Sequence, residues 1–265
     1  MQRRFENKVV WITGASSGIG AALAQAFGRE GAQLVLSARR RAELEQVAAS
    51  SGGDPLVLPL DLAQSDTFPG AVAAVLERFP RVDVLVHNGG ISQRALVQDT
   101  QLDVDRRIME VNYFGTVALT KAVLPAMLKA KTGHFVVISS VMGKIGTPKR
   151  SAYAASKHAL HGFFHCLRAE VTDDGLHVTL VCPGYIRTEI SKNALTGDGS
   201  PTHWEGEDIA SGYPADRTAQ QILAAVHAQK SEVYVGALGK ERLALLLKRF
   251  TPGVLEHMLR TAVPK

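Results

Sequence analysis

The chain has 265 residues, a formal net charge of +5 and 46% hydrophobic residues, which suits a single α/β domain with a full core. Two cysteines, Cys166 and Cys182, imply no disulfide framework and fit a reducing, cytoplasmic setting. No basic run is interleaved with aromatics as in a nucleic-acid binder, no apolar stretch approaches the roughly 18 to 20 residues of a bilayer span, and the short polar start does not read as a signal peptide.

Taken in chain order, residues 9–12 form an apolar strand-like run, followed by a Gly-rich turn. Residues 19–30 have helical periodicity, with Gly31 as a C-terminal stop. A second strand is predicted at 34–36 and a helix at 40–49. Further β-branched apolar runs lie at 56–60, 82–86, 135–138, 178–181 and 233–235, mostly with helical patterns between them. Continuous apolar strands separated by helices predict a parallel sheet covered on both faces. The expectation is one Rossmann-type, doubly wound domain over residues 1–265 with about seven strands. Residues 196–211, rich in Gly, Ser, Pro and Asp, break this rhythm and predict a substrate lid at about 189–213. The tail, 238–265, reads as amphipathic.

Gly14, Gly18 and Gly20 fall in the first strand-to-helix turn. Glycines allow a sharp turn and close approach of a ligand, and the free amides of a helix start favour a pyrophosphate. Ser16, Ser17 and Ile19 complete the loop. Gly14-Ala15-Ser16-Ser17-Gly18 also matches the G-x-S-x-G elbow of ester hydrolases, with Ser16 as nucleophile. Only 13 residues precede Gly14, too few for the earlier strand and oxyanion loop that an elbow needs.

After the second strand the chain reads Ser37-Ala38-Arg39-Arg40-Arg41, with no acidic residue to bind a ribose 2′-hydroxyl. Ser37 and Arg39 suit a 2′-phosphate, so NADP(H) is the expected cofactor. The alternative is that these arginines begin a solvated helix face.

Tyr153 and Lys157 are four residues apart and share a face if helical. A nearby ammonium is expected to lower the phenol's pKa of about 10 and fit it for general acid–base work. Ser140, at the end of the 135–138 strand, could hold the same substrate oxygen. The bland alternative is a packing tyrosine beside a solvated lysine.

With these residues in place the chain resembles the short-chain dehydrogenase/reductase family. The resemblance rests on the Gly-rich loop of residues 13–20, Asp61-Leu62, Asn88-Gly89-Gly90, Asn112, Ser139-Ser140, Tyr153-x-x-x-Lys157, and the run Pro183, Gly184, Tyr185, Ile186, Arg187, Thr188. It implies a catalytic group of Ser140, Tyr153 and Lys157, with Asn112 supporting a water-mediated proton relay through Lys157. It also implies that Lys157 binds the nicotinamide ribose, Asp61 contacts the adenine, Asn88 supports the sheet near the cofactor, and Ile186 and Thr188 lie against the carboxamide. Members are usually homodimers or homotetramers. The chain departs from the family's Asn-Asn-Ala-Gly with His87-Asn88-Gly89-Gly90. Glycine at 89 is expected to leave room for the cofactor, and His87 to pack at the strand end.

The expected substrate is a hydrophobic carbonyl or secondary alcohol. A non-catalytic NADP(H)-sensing module is the alternative from another class. His158, His161 and His165 have helical metal-ligand spacing, but no Cys or carboxylate obviously converges on them, and no metal is expected. Cys166 and Cys182 are expected to be small buried residues. The tail is expected to pack on the body or on a partner subunit rather than on a membrane.

Overall fold

The first strand decides the architecture. β1 (Val9–Thr13) is buried at every position. Val9 and Trp11 enter one apolar core, Val10 and Ile12 another. A strand buried on both faces needs helices on both sides. The computed structural model describes residues 3–203, 211–236 and 239–261. Positions 204–210 of the expected lid, and 238 and 262–265 of the expected tail, lie outside the described residues.

The other strands are β2 (Gln33–Ser37), β3 (Leu56–Val57), β4 (Val84–His87), β5 (Gly133–Ile138), β6 (Leu176–Pro183) and β7 (Glu232–Val235). Among the described residues they form one seven-stranded parallel sheet, ordered β3-β2-β1-β4-β5-β6-β7. Helices α1 (Gly18–Arg29), α2 (Arg41–Ser51) and α7 (Ala215–His227) cover one face through Leu23, Phe27, Leu44, Ile222 and Val226. Helices α3 (Phe68–Arg78), α5 (Gly115–Ala130) and α6 (Ser151–Val171) cover the other through Val75, Leu119, Val123, Phe164 and Leu167. This is the doubly wound Rossmann-type fold expected from the alternation of runs. Strand order reverses between β1 and β4, so a crevice opens at their C-terminal ends, where such sheets bind ligands.

The predicted 56–60 strand is shortened to two residues. Leu58 and Leu60 still donate to the Leu36 and Ala38 carbonyls, but Pro59 between them has no N–H to continue the ladder.

α4 (Leu102–Met109), a π-helical turn at Glu110–Phe114 and α5 run on as one helix of 29 residues with an apolar window of mean hydropathy 1.2. By length and composition this helix could cross a bilayer, which corrects the expectation that no stretch is long enough. Leu119, Val123 and Met127 bury its inner face in the core shared with Phe135 and Phe164, as in a core helix.

The first part of the predicted lid is not a free flap. Leu195 is buried with Val104, Ile108 and Ala152, and its backbone N–H donates to the Ser92 carbonyl. Ala194 is buried too, and the Arg94 and Gln101 N–H groups donate to the Leu195 and Gly197 carbonyls, so side chains and backbone together tie the segment down. The tail forms a hairpin of α8 (Lys240–Phe250) and α9 (Pro252–Thr261). Leu245, Leu247, Leu255 and Leu259 pack it on Val141 and Ile145.

Buried histidines set an acid limit on this fold. Burial pushes His87 and His134 down to about 3 and His161 to about 4. In the unfolded chain an imidazole titrates near about 6.5. Between those values the unfolded state binds more protons, so stability is full above about 6.5 and is lost as pH falls towards 4, by up to about 1.4 kcal/mol per pH unit for each histidine. Thermal unfolding should therefore show a lower Tm at pH 5 than at pH 7, with a shallower fall in His87→Gln. Equal midpoints at both pH values would refute the assignment.

Candidate active site

The turn after β1 is shaped by atoms that leave no room for side chains. A Cβ on Gly14, which has φ +63°, would lie 2.7 Å from the Gly89 Cα. A Cβ on Gly20 would overlap the Gly14 carbonyl oxygen. Asn88 holds the turn: its Nδ2 donates to the carbonyls of Thr13 (3.1 Å) and Gly14 (3.0 Å). The backbone N–H groups of Asn88 and Gly89 both donate to the Thr13 hydroxyl at 3.1 Å. α1 then starts at Gly18, Ile19 and Gly20 with no acidic residue in its first turn, and the Ser17 hydroxyl makes no capping bond. Amides, dipole and hydroxyls of Ser16 and Ser17 fit an anionic dinucleotide phosphate. Thr188 stands over this helix start, its Cγ2 about 3.1 Å from where a Gly18 Cβ would be. No histidine hydrogen-bonds Ser16 among the described residues, so the elbow alternative lacks its base.

Ser37 is not available to a 2′-phosphate. It is buried, and its hydroxyl accepts from the Trp11 indole at 2.9 Å. The strand's alternation turns it into the core beside β1. Arg40 and Arg41 pair with Glu43 (3.1 Å) and Glu45 (3.6 Å), as a solvated helix face would. Arg39 is exposed and makes no ion pair among the described residues, so its guanidinium is left at the end of β2.

Asp61 accepts from the Ala63 N–H at 3.0 Å and turns the chain beside this end of the sheet. Leu62 is buried, and its Cδ1 would lie 2.6 Å from a Cβ on Gly89. A side chain at position 89 would therefore crowd Leu62. His87 packs at the strand end as expected. Its ring stacks on Phe135 at 6.3 Å and its Nε2 bonds the Thr120 hydroxyl at 2.8 Å.

Ser140, Tyr153 and Lys157 meet where β5 ends against α6. Ser139 and Ser140 turn opposite ways. The Ser139 hydroxyl, buried, reaches the Lys157 carbonyl (3.3 Å) and His161 Nε2 (3.0 Å). Ser140 caps the next turn, accepting from the Met142 N–H at 3.1 Å, and hydrogen-bonds Tyr153. Lys157 is buried, donates to the Ile138 carbonyl at 2.8 Å, and stands 5.7 Å from the centre of the Tyr153 ring. Burial pushes the ammonium down to about 8. Burial is also the largest influence on Tyr153 and raises its phenol, while the Ser140 bond and the Arg150 charge oppose it. The expectation that an ammonium would lower this pKa is therefore corrected. Lys157 is turned to the Ile138 carbonyl, and the packing around the half-buried ring opposes the phenolate.

Asn112 sits in the π-helical turn. Its side chain accepts from the Ile91 N–H (2.8 Å) and donates to the Ile91 carbonyl (2.9 Å) and the Ser156 hydroxyl (3.0 Å). The amide is fully engaged in positioning the 91 loop against α6. A Cβ on Gly90 would lie 3.1 Å from Asn112 Oδ1 and 3.7 Å from Lys157 Nζ, so these groups share one small space. On the far side Pro183 ends β6, Gly184 donates to the Val235 carbonyl at 3.1 Å, and Ile186 is buried and bridges to Tyr213.

Sequence reading missed Gln93. It is fully buried; its Oε1 accepts from the Ala152 N–H at 2.9 Å and its Nε2 donates to Thr100 at 2.8 Å. It caps the helix that carries Tyr153 from a segment about sixty residues away, and no local pattern marks it. Glu232 was missed for the same reason. Against the expectation that no carboxylate converges on the histidines, ligand atoms of His161, His165 and Glu232 lie within 4.8 Å of one another. The cation at this carboxylate is Lys144, whose Nζ donates at 2.8 Å. His158 turns away to the Ala154 carbonyl at 2.8 Å. Cys182 is buried and burial pushes its thiol up to about 12, whereas Cys166 is exposed on the outer side of α6, contrary to expectation.

Residues 8–198 match the family model described as short chain dehydrogenase. The chain belongs to the short-chain dehydrogenase family. It is 45% identical to a dehydrogenase/reductase SDR family protein 7-like of Drosophila melanogaster, over 96% of this chain and 79% of that one. It is 44% identical to dehydrogenase/reductase SDR family member 7B of Bos taurus, over 100% of this chain and 84% of that one. A short-chain dehydrogenase from Streptomyces avermitilis superposes with a TM-score of 0.79 at 30% identity, covering 95% of each chain. A metagenomic short-chain oxidoreductase in complex with NADP superposes with a TM-score of 0.73 at 30% identity, covering 88% of this chain and 98% of that one. As a short-chain dehydrogenase the chain is an oxidoreductase of a family that uses nicotinamide cofactors. The glycine cradle and its Asn88 staple fit such a group.

Proposed function

We propose that this short-chain dehydrogenase uses NADP(H) to interconvert a carbonyl and a secondary alcohol on a hydrophobic small molecule. The observation that carries the reading is the meeting of Ser140, Tyr153 and Lys157 beside the glycine cradle. When bound, the nicotinamide supplies or accepts the hydride. Ser140 holds the substrate oxygen by hydrogen bonding. Tyr153 moves the proton at that oxygen. The phenol is protonated at neutral pH, so it can give its proton to a carbonyl oxygen in reduction and take it back in oxidation. Lys157, buried and held by the Ile138 carbonyl, would bind the nicotinamide ribose, the role that the family resemblance gives it. Asn112 positions the loop and helix around them, and through them supports a water relay.

Arg39 supports the phosphorylated cofactor, alone now that Ser37 is in the core. The exposed Tyr185 and Ile190, beyond β6, support an apolar substrate. A cytoplasmic homodimer or homotetramer belongs to the same proposal. The exposed Phe114 at the head of α5 is surface that a partner subunit could cover.

The test is a fluorescence titration with NADPH and with NADH. Wild type should bind NADPH at least about tenfold more tightly, or about 1.4 kcal/mol. Arg39→Ala should remove most of that difference and leave NADH affinity unchanged. Equal losses for both would sink the assignment of Arg39, and no binding of either would sink the cofactor itself.

A further inference from the structure

We propose that the outer face of the α8–α9 hairpin docks on an anionic lipid bilayer. α8 is apolar on two sides. Its inner side, with Ala244, Leu245 and Leu247, packs on Val141 and Ile145. Its outer side presents Leu243 (52% exposed), Leu246 (51%) and Phe250 (70%), spaced three and four residues apart on one stripe. α9 also exposes apolar side chains, Val254 and Met258, at 51% and 48%. An amphipathic helix that packs on a protein body needs one apolar side, so the second is surplus to folding.

Charge selects the occupant. Lys240, Arg242, Lys248, Arg249 and Arg260 stand against Glu241 and Glu256, five against two, a net +3 across the hairpin. At about 100° per residue, Arg242 and Arg249 border the stripe on one side and Lys240 on the other. The Arg249 guanidinium lies 5.7 Å from the Phe250 ring centre, so cation and aromatic ring are offered together. Apolar side chains bordered by cations match the acyl–headgroup boundary of an anionic membrane. A second copy of the chain would bring the same cations within a screening length of these, which opposes self-association through this face. Helices of 11 and 10 residues are too short to span a bilayer, so the hairpin lies on its surface. Docked there, the segment from Val141 to Ile145, which follows Ser140, lies beneath the hairpin. The inference is independent of which nicotinamide is used.

The test is co-sedimentation of the full chain with phosphatidylcholine vesicles and with vesicles containing about 30% phosphatidylserine. Wild type should pellet with the anionic vesicles, weakly with the neutral ones, and less at about 0.5 M salt. Leu246→Glu/Phe250→Glu should reduce partitioning by at least about tenfold, with an unchanged circular dichroism spectrum and Tm. Two results would overturn the proposal. One is a wild type that stays in the supernatant with anionic vesicles, or pellets no better than the double variant. The other is an oligomer, seen by light scattering, that the double variant dissociates, which would give this face to a second copy.

Discussion

Tyr153→Phe should lower kcat by about 10²- to 10⁴-fold, the usual contribution of a positioned acid–base group, while NADPH affinity changes by less than about twofold. The substitution removes one oxygen and keeps the ring. The ring's contact with Lys157 at 5.7 Å and the packing of α6 are therefore retained. Lys157 keeps its bond to the Ile138 carbonyl, so the end of β5 does not move. The proton at the substrate oxygen is lost, together with the bond to Ser140. Stopped-flow reduction of a carbonyl substrate, read beside the binding titration, separates the two effects. A variant with near-normal turnover would remove Tyr153 from the chemistry and leave its family motif without the role proposed for it.

Gly20→Ala should abolish measurable NADPH binding, a loss of at least about 100-fold or 2.8 kcal/mol. The added methyl meets the Gly14 carbonyl oxygen and stands 2.6 Å from Asn88 Nδ2, which is itself held by the carbonyls of Thr13 and Gly14. Neither neighbour is the free end of a flexible chain, so the cradle must open. Gly162→Ala is the control: on α6 a Cβ there meets nothing within 4 Å, and alanine in a helix interior gains about 0.5 to 1 kcal/mol. Titration and thermal unfolding of both variants check this. NADPH binding by Gly20→Ala at wild-type strength would refute the close-packed cradle.

The two site motifs were legible because each is local. Gly14 to Gly20 lies in one strand–turn–helix, and Tyr153 and Lys157 lie one helical turn apart. Spacing places these residues side by side, and the family resemblance supplies the roles expected of them. The pKa direction of Tyr153 was not legible, because desolvation outweighs any single neighbour and depends on what the whole cleft excludes. Ser37 shows the same limit. Its residue type suits a phosphate, but the register of β2 beside β1 turns it to the Trp11 indole.

The sequence by itself determined the parallel, doubly wound sheet, since apolar runs without alternation must be buried on both faces, and it determined the cradle and the Tyr–Lys turn, whose residues are neighbours along the chain. Only the tertiary structure decided that Gln93 caps α6, that Glu232 and Lys144 close around His161, that Ser37 is held in the core while Arg39 is exposed, and that α8 keeps an apolar face outward. Each of these depends on side chains brought together from distant segments, and burial and partner choice at such meetings are set by packing of the whole domain rather than by any local pattern.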